Sequence, residues 1–389
     1  MMIEKLTVEG FRSLKDITWE PGNLNVVIGP NASGKSNLLG LLEFIAASAQ
    51  GQLYKYIQRH GGISQLTWDG QMDMMYFAFR ILNADQPFTY DFRLGITDAT
   101  YNILQERLKS SWQTNDPPQL SLPLMVRLQG QHIRVQRQGG DLLDLPEDSI
   151  SSTETALSVM TGPFVGDTPA SRAKRWFESW RIYHDIDTGP NSEIRKANVA
   201  RFETQLEQDG QNLIPVLHSL YTENRDFRSN IDLGMRAAYG EEFEELRFPP
   251  AADQRVQMRV AWRSLKRATP AADLSDGTLR FLFLLTVLSS PDKPPLIAID
   301  EPETGLHPGM LPIVAEYAVE ASQKTQVIFT THSPQFLDAF RETKPTVTVA
   351  KWENGETKLA TPDAESLSHW LQEYSLGTLF KTGELENMG

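Results

Sequence analysis

The chain has 389 residues, 40% apolar and 22% charged, an ordinary globular composition that excludes bulk disorder. Its 37 Lys and Arg against 50 Asp and Glu give a formal charge of -13, which argues against a strongly basic nucleic-acid surface and leaves room only for a local patch. Without a single Cys, disulfides, thiolate chemistry and cysteine-ligated zinc or iron–sulfur centres are ruled out, as suits a reducing cytoplasm.

Residues 3–8 alternate as a strand, and the charges at Glu4, Lys5 and Glu9 make this a first strand rather than a signal peptide. Residues 11–14 turn, 16–19 pair back, and the apolar run 24–28 enters Gly29, Pro30, Asn31, Ala32, Ser33, Gly34, Lys35 and Ser36. This octapeptide fits the phosphate-binding pattern GxxxxGK[ST], placed between a strand and a helix beginning at Asn37, where the pattern has a mechanism. Backbone N–H groups of such a turn and of the first helical turn point at anionic oxygens, so the motif predicts binding of a nucleoside triphosphate. Lys35 is placed to reach the β- and γ-phosphates and Ser36 to ligate magnesium. The helix is apolar at Leu38, Leu39, Leu41, Leu42 and Ile45, a stripe suited to burial against a sheet.

After Gly61 and Gly62, alternating segments at 74–81, 88–94, 124–128 and 132–136 predict an antiparallel layer. Helical spacing returns at 171–181 and 213–221, so 101–250 is expected to be an inserted, mostly helical lobe between an N-terminal part, 1–100, and a C-terminal part, 251–389. A surface loop is expected around Pro163, Gly166 and Pro169. Arg172, Lys174 and Arg175 beside Trp176 and Trp180 admit nucleic-acid contact with stacking, but a partly buried amphipathic helix is the preferred reading. His60, His132, His184 and His218 have no metal-ligand spacing and are read as surface or packing residues.

Residues 256–262 read as a strand, 274–278 precede an apolar helix at 279–288, and 296–299 form a buried strand that ends in Asp300 and Glu301. Two carboxylates at such a strand end suit a metal ion and a polarised water: Asp300 is the magnesium-side carboxylate and Glu301 the general base. Neighbouring strand residues point to opposite sides, so both reach one phosphate only if the chain turns there. A helix is expected at 312–321 and a buried strand at 327–329 leading to His332. A hairpin about Asn354-Gly355 closes this stretch. The longest apolar run, 281–288, is too short to cross a bilayer, and a cytoplasmic protein without a membrane partner is expected.

Beyond the phosphate loop, the ordered segments are Leu274-Ser275-Asp276-Gly277-Thr278, Asp300-Glu301-Pro302-Glu303-Thr304-Gly305-Leu306-His307-Pro308 and Thr331-His332-Ser333-Pro334. With Phe11-Arg12-Ser13-Leu14 and the late Trp370-Leu371 with Tyr374 to Gly377, they resemble the ATP-binding-cassette type ATPases of the chromosome-maintenance and recombination-repair group. The resemblance is stronger to the standalone bacterial ATPases related to that group. It covers the head well and the middle weakly, where Asp209-Gly210 and Leu213 are the best anchor.

The resemblance implies an α/β fold: a P-loop NTPase with an ABC-type ATPase head, an attached antiparallel β layer and an inserted helical lobe. It further implies magnesium-dependent ATP hydrolysis in an ATP-dependent homodimer clamping two nucleotides. Each site is then completed by Ser275 and Gly277 of the opposite copy, facing the γ-phosphate held by Lys35. Arg12 and the segment from Gly29 to Asn37 would contact nucleotide, and His332 would sense the γ-phosphate. Asp276 departs from the Gly common in transporters of this superfamily, which weakens a transport reading. His307 is either a dimer-facing loop residue or a turn residue. A magnesium-completing glutamine is expected among Gln52, Gln58, Gln65 and Gln71. The leading function is a dimer switch coupled to DNA repair or recombination. The alternatives are a regulator or sensor of a protein effector in bacterial anti-phage defence, and a non-hydrolytic scaffold, which the intact Asp300, Glu301 and His332 argue against.

Overall fold

A computed structural model describes residues 1–70, 72–83, 87–98, 100–110, 123–128, 132–137, 140–146, 149–162, 165–340, 343–363, 367, 370–371 and 373–387. The chain divides into two units, Met1–Trp180 with Thr346–Pro362, and Arg181–Pro345 with Asp363–Met388.

In the first unit the alternation at the N-terminus becomes β1 (Met2–Phe11), paired antiparallel with β2 (Leu14–Trp19). The continuously apolar β3 (Leu24–Ile28) is buried throughout and delivers the chain into the phosphate loop and α1 (Lys35–Ala49), followed by α2 (Leu53–Arg59). Six more strands follow: β4 (Met74–Leu82), β5 (Phe88–Thr97), β6 (Thr100–Ser110), β7 (Pro123–Leu128), β8 (Ile133–Gln136) and β9 (Leu142–Leu145). They extend β1 and β2 into an eight-stranded antiparallel sheet of order β2-β1-β4-β5-β6-β7-β8-β9. One face of it is aromatic: Phe77 stacks on Phe92 with ring centroids 4.9 Å apart, and Phe44 of α1 lies 5.2 Å from Phe77. Phe177 of α3 (Pro169–Glu178) lies 5.2 Å from Tyr90, so two helices cover that face.

The segment expected to be mostly helical, 101–250, therefore opens with strands, and helices occupy only its later part. Tyr101 and Ile103 and, beyond a bulge at Leu104, Glu106 and Leu108 are buried at every second position of β6, which pairs antiparallel with β5 on both sides of the bulge. That period-two burial outweighs the helical spacing found further along. The unit boundary falls at Trp180–Arg181 rather than at 100 and 250. Of the expected surface-loop residues, Pro163 lies outside the described residues.

In the second unit β10 (Arg181–Tyr183) leads to a two-residue strand β11 (Asn198–Val199), then to α4 (Leu213–Glu223) and α5 (Arg225–Tyr239). Short antiparallel ladders follow from β12 (Phe243–Arg247), β13 (Pro250–Ala251), β14 (Arg255–Val256), β15 (Arg259–Trp262) and β16 (Thr269–Pro270). The single strand expected at 256–262 is thus two, separated at residues 257–258. Helix α6 (Asp276–Ser289) is apolar on nearly all sides and buried accordingly. Strand β17 (Leu296–Asp300), helix α7 (Leu311–Ser322), strand β18 (Gln326–Thr331) and helix α8 (Pro334–Ala339) complete an α/β repeat in which β10, β17 and β18 run parallel. Near the C-terminus, Gly377 N–H donates to Asp338 Oδ1 at 2.7 Å, tying the helix Leu376–Lys381 to α8.

Strands β19 (Thr346–Glu353) and β20 (Glu356–Ala360) belong to the first unit, with β19 parallel to β3 and antiparallel to β20. Their hairpin turns at Asn354 and Gly355, with φ of 51° and 81°, as the Asn-Gly pair predicts. No described helix is long and apolar enough to cross a membrane.

Candidate functional site

The phosphate loop is shaped by backbone. Ala32 and Gly34 take left-handed φ of 66° and 95° just before α1, the backbone form that suits anion-binding turns at a helix N-terminus. Pro30, Asn31, Ala32 and Ser36 are exposed at its rim, while Ser33 and Lys35 are buried. Lys35 Nζ donates to the carbonyls of Gly29 at 2.7 Å and Pro30 at 2.9 Å, which holds the ammonium across the loop. A left-handed Gly-rich turn at a helix N-terminus with one buried ammonium fits a polyphosphate.

Behind the loop stands a residue that sequence motifs do not reveal. The Thr357 hydroxyl donates to Ser33 O at 3.0 Å and lies 2.7 Å from the Ser13 hydroxyl. A Cβ on Gly34 would sit 1.9 Å from Thr357 Oγ1, so glycine is required there by contact as well as by φ. Asn37 Nδ2 donates to Ser13 Oγ at 2.7 Å, and Arg12, itself at φ 47°, reaches Asn37 Oδ1 at 3.5 Å. Arg12, Ser13 and Asn37 open on a groove of about 810 Å³ shared with Gln65, Trp68 and Trp352. The Lys15 ammonium sits 4.2 Å over the Trp68 ring. Of the candidate glutamines only Gln65 is among the residues lining this groove; Gln52 precedes α2, Gln58 lies within it, and Gln71 is outside the described residues.

In the second unit the parallel register sets Asp300 beside Thr330, so the residues that follow the two strands emerge together. The Thr330 hydroxyl donates to Asp300 Oδ1, and His184 Nδ1 lies 3.7 Å from Asp300 Oδ2. Glu301 supplies the turn that strand alternation demanded: at φ 44°, with its N–H on Thr330 O at 3.0 Å, it brings Oε1 to 2.8 Å from His332 Nδ1. Two residues on, Glu303 accepts from the Thr331 hydroxyl, which itself accepts from Ser333 N–H at 2.9 Å. Burial pushes the Glu303 carboxyl up from its ordinary range, and the Thr331 bond opposes the rise. Glu301 with His332 and Glu303 with Thr331 therefore bracket the end of β18. Glu301 and His332 are candidates on sequence alone; Glu303 and Thr331 lie inside the same motifs without an assigned role, Thr330 only adjoins one, and His184 is read as a surface or packing residue.

Ser275 is the N-cap of α6, its hydroxyl accepting from Thr278 N–H at 3.1 Å. A Cβ on Gly277 would meet Gly305 O at 2.6 Å, so this segment lies in backbone contact with the loop after Glu301. His307 Nδ1 accepts from Gly309 N–H at 3.1 Å, which gives it the role of a turn residue. Trp176 and Trp180 are buried, Arg172 and Arg175 pair with Asp167, and Lys174 pairs with Glu178, as an amphipathic helix requires.

Residues 24–338 match the family described as AAA domain, putative AbiEii toxin, Type IV TA system. The chain belongs to this family. It is an ATP-binding, ATP-hydrolysing P-loop NTPase. Among solved structures, this AAA domain is similar to an SmcHead bound to the C-winged helix domain of ScpA, with a TM-score of 0.60 and 15% identity over 95% of this chain and 100% of that one. It is also similar to an Smc head domain with an extended coiled coil, bound to the C-terminal domain of ScpA derived from Pyrococcus furiosus. There the TM-score is 0.54, at 13% identity over 95% and 98% of the two chains. These likenesses establish an ABC-type ATPase head architecture of mixed α/β class. A stretch of 48 residues is 48% identical to the DNA replication and repair protein RecF of Lactobacillus acidophilus, spanning only 12% of either chain.

Proposed function

We propose that this AAA domain is an ATP-driven dimer switch that regulates a protein effector. The observation that carries the switch is the Glu301–His332 contact at 2.8 Å beside an Asp300 fixed by Thr330: a base, a γ-phosphate reader and a metal-side carboxylate held by adjoining strand ends. Lys35 and the loop amides from Gly29 to Ser36 bind the phosphates, with Arg12 and Asn37 at the groove beside them. Ser36 and Asp300 offer the hard oxygen donors that suit magnesium. Among the described residues no group of three or more His, Cys, Asp or Glu forms a metal cage, which fits an ion that retains waters and phosphate oxygens. Magnesium, when bound, neutralises charge on the β- and γ-phosphates. Glu301 accepts a proton from the attacking water, and His332 holds the Glu301 carboxylate and reports departure of the γ-phosphate. Ser275 and Gly277 of a second copy close the site through the N-terminus of α6.

The effector reading is favoured over a direct DNA role by the matched family's description, which names a putative toxin and a toxin–antitoxin system, and by the formal charge of -13. The short RecF match supports a second reading, coupling to DNA repair. The test is sedimentation and ATP turnover of wild-type and E301Q protein with magnesium-ATP, repeated with DNA and with the product of a neighbouring effector gene. E301Q should dimerise with ATP and lose turnover by roughly 10²–10⁴-fold. Turnover of E301Q at the wild-type rate removes Glu301 as the base. Stimulation by DNA alone transfers the assignment to repair.

A further inference from the structure

Arg195, in a single 3-10 turn Glu193–Arg195, sends its side chain into the segment that forms the N-terminus of α6. Its Nη1 donates to the carbonyls of Ala271 at 3.2 Å, Ala272 at 3.0 Å and Leu274 at 2.7 Å. Nη2 donates to Asp276 Oδ1 at 2.6 Å, and Nε to Thr188 O at 2.7 Å. The side chain is only 10% exposed, while that of Asp276 is 65% exposed. A planar fork is the group that can hold several carbonyls and a carboxylate at once; an ammonium offers no such geometry.

The bonded carbonyls immediately precede the Ser275 cap, and the bonded carboxylate immediately follows it. The guanidinium thus fixes both flanks of the residue proposed to meet phosphate. It also neutralises Asp276, whose charge suits a helix N-terminus but would oppose an incoming γ-phosphate. We infer that Arg195 is a positioning residue for the signature segment. It sets the angle at which Ser275 and Gly277 meet the nucleotide of a second copy and offsets the charge of Asp276. This rests on the dimer reading above. It also gives the departure at position 276 a physical meaning: Asp276 and Arg195 form one unit supplied by two distant parts of the chain.

The decisive comparison uses the full chain carrying E301Q, with magnesium-ATP, measuring the dimer dissociation constant by sedimentation and monomer affinity for ATP at high dilution. Adding R195A should weaken the dimer by about tenfold or more while ATP affinity of the monomer stays within about twofold. Adding D276N to R195A should restore part of the dimer, because the uncompensated charge is gone, which a purely structural role for Arg195 would not produce. R195K should recover little, since its charge remains but the fork does not. A dimer constant unchanged in R195A, or in R195K should R195A fail to fold, overturns the inference. A failure of E301Q itself to dimerise, with Arg195 intact, overturns the dimer reading first and this inference with it.

Discussion

The phosphate loop and the Asp300–His332 cluster reach fixed geometry by different means. At the loop the polar groups are mainly backbone: left-handed residues at Ala32 and Gly34, and carbonyls that hold Lys35. At the ends of β17 and β18 they are side chains bonded to side chains, Thr330 to Asp300, Glu301 to His332 and Thr331 to Glu303. A backbone-built site binds the invariant part of a ligand and tolerates little change of shape. A side-chain-built site can change its partners when a charged group arrives or leaves, as the switch proposed above requires.

The sharpest way to break this contrast is Gly34→Ala. Its Cβ would meet Thr357 Oγ1 at 1.9 Å in a backbone held at φ 95°. Binding and stability should fall together, with a strain cost of about 1–3 kcal/mol and ATP affinity reduced ~100-fold, read by thermal melting and equilibrium titration. ATP affinity close to wild type would show that the loop is more pliant than its contacts imply. Smaller effects should separate the two regions. Thr357→Val leaves the Ser33 carbonyl without its hydroxyl donor, so ATP affinity should weaken by up to about tenfold at little cost to the rate of bound-nucleotide hydrolysis. Thr331→Val removes the donor to a part-buried carboxylate and the acceptor of Ser333 N–H, and should cost about 1–3 kcal/mol of stability. Here single-turnover hydrolysis should slow while ATP affinity holds. If Thr357→Val changed the rate and Thr331→Val the affinity, the division between binding and chemistry would be reversed.

The same division governed what could be read from sequence. Glycine spacing marks a backbone-built loop, so the segment Gly29 to Ser36 is legible at once, and the apolar run 296–299 is seen to end at Asp300 and Glu301. Thr357 lies in a hairpin far along the chain, and nothing local marks it as the support of Ser33; only the β3–β19–β20 pairing brings it there. His184 was set aside for lack of ligand spacing, yet β10 pairs with β17 in register and carries it beside Asp300. Of the strands within residues 100–145, the alternation at 124–128 and 132–136 is legible, whereas β6 and β9 are defined by their pairing with β5 and β8, a property of the sheet rather than of either segment.

A third polar centre, in the antiparallel sheet of the first unit, sharpens the comparison by mixing the two designs. Glu106 is fully buried in β6, and its side chain accepts from backbone N–H groups of Ala156 and Leu157 as well as from the Tyr90 hydroxyl, the latter two at 2.8 and 2.9 Å. Burial raises its pKa above the ordinary glutamate range, with the Leu157, Ala156 and Tyr90 bonds and the Arg127 charge opposing the rise. Because the folded-state value lies above the unfolded one, the folded protein binds more protons between the two. The contribution of Glu106 is therefore fully present below the unfolded pKa and is lost as pH rises through the folded one. Urea unfolding of wild type and Glu106→Gln across that window should give two curves of different slope. The variant should be less stable at every pH, since an amide NH2 cannot accept the bonds a second carboxylate oxygen takes, and should lack the fall that Glu106 contributes. Parallel curves would mean that the three donors hold the carboxylate ionised despite its burial, and that hydrogen bonds from backbone and side chain together can offset desolvation in this fold.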